Sequence, residues 1–132
     1  MIVLDASAVV ALLVGQGLGA ERIRRKVEGP GQSLHVPHVM DLEMLHALRR
    51  QTLLGTLSSR RSAEAIEDLK NLAFVRYPHA TLVDRIWSLK DNLTAYDAAY
   101  VALAEALDAP LVTMDARLAQ APGIRAAVEV YG

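Results

Sequence analysis

Hydrophobic and polar positions along this chain fall into two kinds of block. Three short, largely apolar runs, at residues 1–4, 34–36 and 110–114, have the length of strands buried in a sheet. Residues 74–77 and 128–131 repeat the pattern more weakly. Between them the apolar positions follow a helical period. Ala20, Ile23 and Val27 form one stripe, with Arg22, Arg24, Arg25 and Lys26 away from it. Ile66 and Leu69, with Leu72 or Ala73, form a second, and Leu82, Ile86, Leu89 and Leu93 a third. Strands alternating with helices predict βαβ units, hence an α/β fold with a parallel sheet and helices on both faces. Right-handed crossovers then prune the topologies. Gly15-Gln16-Gly17-Leu18-Gly19 follows a helical stretch rather than a strand, so it reads as a helix stop and a mobile loop, not as a phosphate cradle.

Length and composition narrow the picture. With 132 residues, about half of them hydrophobic, the chain can build one core without disulfides. It has no cysteine, which removes thiolate catalysis and cysteine-held zinc and fits a cytoplasmic location. No basic leader precedes the first apolar run, and no stretch is long enough to cross a bilayer, so no membrane association is expected. A net charge of -1 argues against a purely electrostatic nucleic-acid binder, but an acidic pocket could mask the arginines in that sum.

The candidate chemistry lies in four acids. Asp5 ends the first strand and Asp115 the strand at 110–114. In an open parallel sheet, ligands bind beyond the carboxyl ends of strands where strand order reverses, so the two can face one crevice. Each also precedes a predicted helix and could be an N-cap. Glu43 sits among Met40, Leu42, Met44 and Ala47 in a helix expected to start near Pro37. Asp97 opens the helix at 96–107 on the face of Tyr100, Val101 and Ala104, and Thr94 three residues earlier suggests a capping box. Two negative charges about 5 Å apart repel by roughly 3 kcal/mol at an effective dielectric of ~20. Four in one crevice would take up protons or a cation. Oxygen-only donors select a hard ion, Mg²⁺ or Mn²⁺, whose natural use is phosphodiester hydrolysis by an activated water. Ser7 and Thr113 place hydroxyls two residues from Asp5 and Asp115. There they could hydrogen-bond the carboxylates, or Ser7 could simply cap the next helix.

These residues resemble a known family. Ile2-Val3-Leu4-Asp5-Ala6-Ser7-Ala8 is similar to the opening of PIN-domain proteins. The block Leu93-Thr94-Ala95-Tyr96-Asp97-Ala98-Ala99-Tyr100-Val101-Ala102-Leu103-Ala104-Glu105 resembles the signature of VapC-type toxins of VapBC toxin–antitoxin systems, and Ala109-Pro110-Leu111-Val112-Thr113-Met114-Asp115-Ala116-Arg117-Leu118 continues it. Val36-Pro37 followed by Glu43 is similar to the family's second acidic segment. The resemblance spans nearly the whole chain and implies a single PIN domain over residues 1–132. It further implies a PIN-like parallel sheet of about five strands in a three-layer α/β/α sandwich, and Mg²⁺-dependent endoribonuclease activity. The implied catalytic acids are Asp5, Glu43, Asp97 and Asp115, with metal on Asp5, Asp97 and Asp115, and Ser7 and Thr113 in the hydroxyl positions. The implied partners are an RNA substrate, a cognate VapB-type antitoxin and a second copy of the chain. The helices bearing Ile66/Leu69 and Leu82/Ile86 are expected to supply apolar surface for association.

Among basic residues, Arg117 is the RNA-contact candidate for its nearness to Asp115. Arg25, Lys26, Arg49, Arg50, Arg60 and Arg61 read as solvated helix faces. Tyr96 and Tyr100 are the nearest aromatics for base stacking. His35, His38, His46 and His79 lack a metal-ligand spacing and read as structural or surface groups. Other readings remain open at this level. They are a PIN-type RNA-maturation nuclease without antitoxin, a phosphoryl-accepting receiver-like domain and a catalytically silent binding module. The receiver reading lacks a late lysine, Lys90 being the last. A dehalogenase-like phosphatase would want an aspartate where Ser7 stands.

Overall fold

The chain runs β1 (Ile2–Leu4), α1 (Ala6–Val14), α2 (Leu18–Val27), β2 (Leu34–Pro37), α3 (Val39–Leu54), α4 (Ser59–Asn71) and β3 (Phe74–Tyr77). A 3₁₀ turn (Ala80–Leu82) follows, then α5 (Val83–Ser88), α6 (Ala95–Leu107), β4 (Leu111–Thr113), α7 (Ala116–Gln120) and β5 (Val128–Val130). The computed structural model describes all residues, Met1–Gly132. All five strands are parallel, in the order β3-β2-β1-β4-β5. The chain moves outward from β1 to β2 and β3, then returns to the other side of β1 to lay down β4 and β5. Strand order therefore reverses at the β1/β4 pair, where Val3 lies opposite Leu111 and Leu4 opposite Val112. That is the switch point at which an open α/β sheet binds ligands.

The hydrophobic pattern explains the layers. Ile2, Val3 and Leu4 are all buried, as an apolar strand covered on both faces must be. Helices flank the sheet on both faces, a three-layer α/β/α arrangement. α6 packs on β1, β2 and β4, and α1 on β4 and on α2, α3 and α4. Seven consecutive residues of α6, Ala98 to Ala104, are buried. Four of them are alanines, small enough to let the helix axis approach the strands on one side and its helical neighbours on the other.

Three boundaries differ from the expectation. α3 starts at Val39, two residues past Pro37: His38 N–H still donates to Tyr77 O at 2.8 Å, one bond beyond the β2–β3 ladder, while its backbone at φ -53° and ψ -32° has already turned toward the helix. The stripe from Leu82 to Leu93 is not one helix. α5 ends at Ser88, and Leu89, Lys90 and Asn92 donate to carbonyls three residues back. The chain must be extended at Thr94, the N-cap of α6, so it leaves the helix first. The glycine segment is a helix stop, as expected, but short. Gly15 N–H closes α1 on Ala11 O, and Gly17, at φ 92°, turns the chain straight into α2.

The expected association surface also moves. Leu69 and Leu82 are buried in the core, and Ile66 and Ile86 pack against it. The large apolar side chains left exposed include instead Leu42, Leu45, Leu53 and Leu54 of α3, Val83 and Trp87 of α5, and Tyr96, with Met1, Leu18 and Val75 exposed elsewhere.

Candidate active site

Asp5 follows β1 directly and Thr113 closes β4, so the switch point brings them side by side. Asp5 is the N-cap of α1, accepting from Ala8 N–H at 2.9 Å on Oδ1. Capping does not exhaust it. Ser7 Oγ donates to the same oxygen at 2.6 Å, and Thr113 Oγ1 donates to Oδ2. A carboxylate has about four lone-pair positions, and the protein fills three, leaving Asp5 about one outward-acting position. Ser7 is therefore not the helix cap. Its hydroxyl also accepts from Met114 N–H at 3.0 Å, stitching the start of α1 to the end of β4. Thr113 Oγ1 accepts from Asp115 N–H at 3.0 Å. The two hydroxyls thus hold both strand ends in register around Asp5, which is only 6% exposed.

The other acids arrive on helices. Glu43, one turn into α3, is half-buried, and its Oε1 accepts from Tyr100 Oη at 2.6 Å. Asp97 lies in the first turn of α6. Its backbone N–H donates to Thr94 Oγ1 at 3.1 Å, so the capping role suspected from sequence is real and leaves the carboxylate at a solvent-open mouth. Asp115 caps α7 through Arg117 N–H at 2.9 Å. It also receives the Arg117 guanidinium on both oxygens, at 3.2 Å each.

The acids lie around two neighbouring hollows, close enough for their charges to act on one another. Glu43 and Ser7 line a groove of about 970 Å³ between α1 and α3, together with Val10, Val39, His46, Arg50 and Tyr96. Asp97, Asp115, Thr94 and Arg117 line a separate polar hollow of about 420 Å³. Asp5 sits at the strand ends and is felt from both sides. Burial pushes its carboxyl up, against the pull of Ser7, Thr113 and Ala8, and the charge on Asp97 adds to the rise. Burial likewise raises Glu43; the Tyr100 bond lowers it, and the charges of Asp97 and Asp5 raise it again. Asp97 is raised by partial desolvation, although open to water on one side, and by Asp115, against Thr94 and Arg117. Asp115 alone is held low, by its Arg117 bonds. Three acids thus carry mutual repulsion that a cation would relieve. As the side chains stand, no three His, Asp or Glu residues are close enough to enclose an ion. The donor set nonetheless fits a hard cation: it is all oxygen, and the only histidine on either hollow is His46, on the groove.

Of the stacking candidates, Tyr96 is exposed and lines the groove. Tyr100 is 1% exposed and cannot meet a base. Its bond to Glu43 escaped the sequence reading, because α3 and α6 are brought together only by the fold. Among basic residues, Arg25, Arg60 and Arg61 are engaged with Glu21 and Glu64, and Lys26 with Glu129. Arg50 and Arg117 reach the two hollows. His35 is structural, bonded to Tyr77 Oη at 2.6 Å and Ser33 Oγ at 2.8 Å. His79 Nε2 accepts from Val39 N–H at the start of α3.

Comparison with known proteins bears on the family and the fold. The PIN domain family model matches residues 2–124. The chain is 45% identical over 124 residues to Ribonuclease VapC1 of Mycobacterium tuberculosis, covering 92% of this chain and 91% of that protein. It is 44% identical over 118 residues to Ribonuclease VapC9 of the same organism, covering 89% and 88%. Among solved structures, VapBC2 from Rickettsia felis, bound to a DNA fragment from its promoter, superposes with a TM-score of 0.72. It covers 98% of each chain at 12% identity, a likeness of fold alone.

Proposed function

This chain belongs to the PIN-domain family, among its VapC-type members, and from that premise we propose that it is the endoribonuclease toxin of a toxin–antitoxin pair, cutting RNA with Mg²⁺ or Mn²⁺. One observation carries the reading. Asp5 and Thr113 meet at the strand-order reversal, the charge of Asp97 reaches Asp5 from α6, and the charge of Asp115 at the start of α7 reaches Asp97 in turn. Asp5, Asp97 and Asp115 would hold the ion, with Glu43 assisting. Bound there, the ion would make a water nucleophilic at neutral pH and offset charge gathering on the phosphate.

The chain's own residues do the rest. Ser7, Thr113 and the Ala8 N–H fix Asp5 so that only its outward position is free. Glu43, its affinity for protons raised by burial, orients the attacking water and can accept its proton. Arg117, released from Asp115, offers its guanidinium to an RNA phosphate, and Tyr96 offers an exposed ring to a base. Water attack forms a new P–O bond and breaks P–O3′, and the proton ends on O3′. The products are a 5′-phosphate and a 3′-hydroxyl, with no cyclic phosphate, because the 2′-hydroxyl takes no part.

For regulation, we propose that the groove between α1 and α3 receives a segment of a VapB-type antitoxin. Its apolar walls would seat the segment, and an antitoxin arginine reaching Glu43 would block ion and substrate together. A homodimer would form through the outward residues Val83 and Trp87. No single helix is long and apolar enough to cross a membrane. The test is incubation of purified protein with RNA in Mn²⁺ or in EDTA. Cutting only in Mn²⁺, lost in Asp5→Asn, supports the reading; cutting undiminished in EDTA contradicts it.

A further inference from the structure

Tyr100 is the largest of the fully buried side chains. It lies three residues after Asp97, one turn deeper along α6, inside a run of alanines, valine and leucine that need no polar neighbour. Phenylalanine would fill the same space. The hydroxyl makes one hydrogen bond, to Glu43 Oε1 at 2.6 Å, and Glu43 Oε2 takes none from the protein. Burial and the adjacent carboxylate push the phenol far above its ordinary range, so it keeps its proton and donates it to the Glu43 carboxylate.

We propose that Tyr100 is a positioning residue for the nuclease reaction, holding Glu43 through Oε1 so that Oε2, whose lone pairs the protein leaves free, is presented to the ion and the attacking water. The inference rests on the nuclease reading above. α6 then serves the site twice. Its first turn supplies Asp97, and its second supplies the donor that fixes the acid carried by α3. With one lone pair of Oε1 taken by the phenol and both of Oε2 free, ligation through Oε2 alone is favoured over ligation by both oxygens. That suits Mg²⁺ or Mn²⁺ in octahedral coordination and disfavours Ca²⁺, which readily takes both oxygens of a carboxylate. Tyr100 thereby contributes to the choice of ion as well as to its affinity.

The experiment compares wild type, Tyr100→Phe, Glu43→Gln and the double variant, reading Mn²⁺ affinity by counting free Mn²⁺ in EPR and RNA cleavage by rate. Loss of a residue that orients a metal ligand weakens metal binding by about tenfold or more. Tyr100→Phe should therefore weaken Mn²⁺ binding about tenfold, narrow the preference for Mn²⁺ over Ca²⁺, and lower kcat with little change in KM for RNA. In the Glu43→Gln background it should add almost nothing, since the phenol acts through Glu43. Wild-type Mn²⁺ affinity in Tyr100→Phe, or an effect that persists undiminished in Glu43→Gln, overturns the proposal while leaving the nuclease reading standing. A wild type that neither binds Mn²⁺ nor cuts RNA overturns both. Should Tyr100→Phe fail to fold, wild-type protein labelled with ¹³C-tyrosine gives the answer. The Tyr100 Cζ resonance should move on Mg²⁺ addition, and a stationary resonance overturns the proposal.

Discussion

Replacing Thr113 with valine keeps the shape of a fully buried side chain and removes its hydroxyl. Three polar contacts are lost: the bond donated to Asp5 Oδ2, the bond accepted from Asp115 N–H, and a long 3.3 Å contact with Ser7 Oγ, which has little weight because both hydroxyl protons already go to Asp5. The first is a buried bond to a charged group, for which the loss is about 1.5–3 kcal/mol. The second lies at a half-exposed residue where water can substitute, at about 0.5 kcal/mol. Together the two bonds come to about 2–3.5 kcal/mol, and a chain of this size loses roughly 3–4 °C of Tm per kcal/mol, so Thr113→Val should melt about 6–14 °C below wild type. Thr113→Ser, which keeps the hydroxyl and loses one methyl, should cost about 1 kcal/mol. The penalty of the valine variant should shrink as pH falls, because a protonated Asp5 needs one donor fewer. Metal-free protein melted by calorimetry between pH 4 and 8 reads all three. A valine variant within about 2 °C of wild type at neutral pH, or a penalty equal at both ends of the range, refutes the claim that Thr113 holds an ionised Asp5.

The raised carboxyls set a sign for pH dependence. Asp5, Glu43 and Asp97 bind protons more tightly folded than unfolded. Their charges therefore cost nothing below the unfolded pKa, about pH 4, and destabilise the metal-free protein increasingly as pH rises through the folded values. Metal-free Asp97→Asn should accordingly match wild type in acid and melt above it at neutral pH; a gap that is constant with pH contradicts this. Arg117, 91% exposed when paired with Asp115, should give up that partner for an RNA phosphate. Arg117→Gln should flatten the salt dependence of RNA binding by about 0.7 in log–log slope, and an unchanged slope removes Arg117 from the interface. Wild type should sediment as a dimer and Trp87→Arg as a monomer; a wild type that is monomeric at every concentration defeats the proposed contact.

The alternation of short apolar runs with helical stripes was enough for a parallel sheet with helices on both faces, because buried parallel strands leave an apolar signature that local reading detects. The position of Asp5 at a strand end was legible for the same reason. The split of the acids between two hollows was not. It depends on how α3, α6 and α7 lean on the sheet, which no local pattern encodes. Tyr100 was misplaced as a stacking ring because helical spacing puts it on the face of Asp97, while only the packing of α3 against α6 shows that this face is closed and that the phenol ends on Glu43. The Leu82–Leu93 stripe looked like one helix because periodicity ignores the extended N-cap that Thr94 must adopt to start α6.

The central claim is that these acids cut RNA by ion-assisted water attack, and the ends of the products test it most directly. Purified wild type and Asp97→Asn are incubated with a defined RNA in Mn²⁺ and in EDTA, and the fragments are analysed for their termini. Cleavage by wild type in Mn²⁺ alone, with 5′-phosphate and 3′-hydroxyl ends and a rate in Asp97→Asn lower by about a hundredfold or more, is the expected result. Fragments ending in 2′,3′-cyclic phosphate, or equal cleavage by the two proteins, would contradict it.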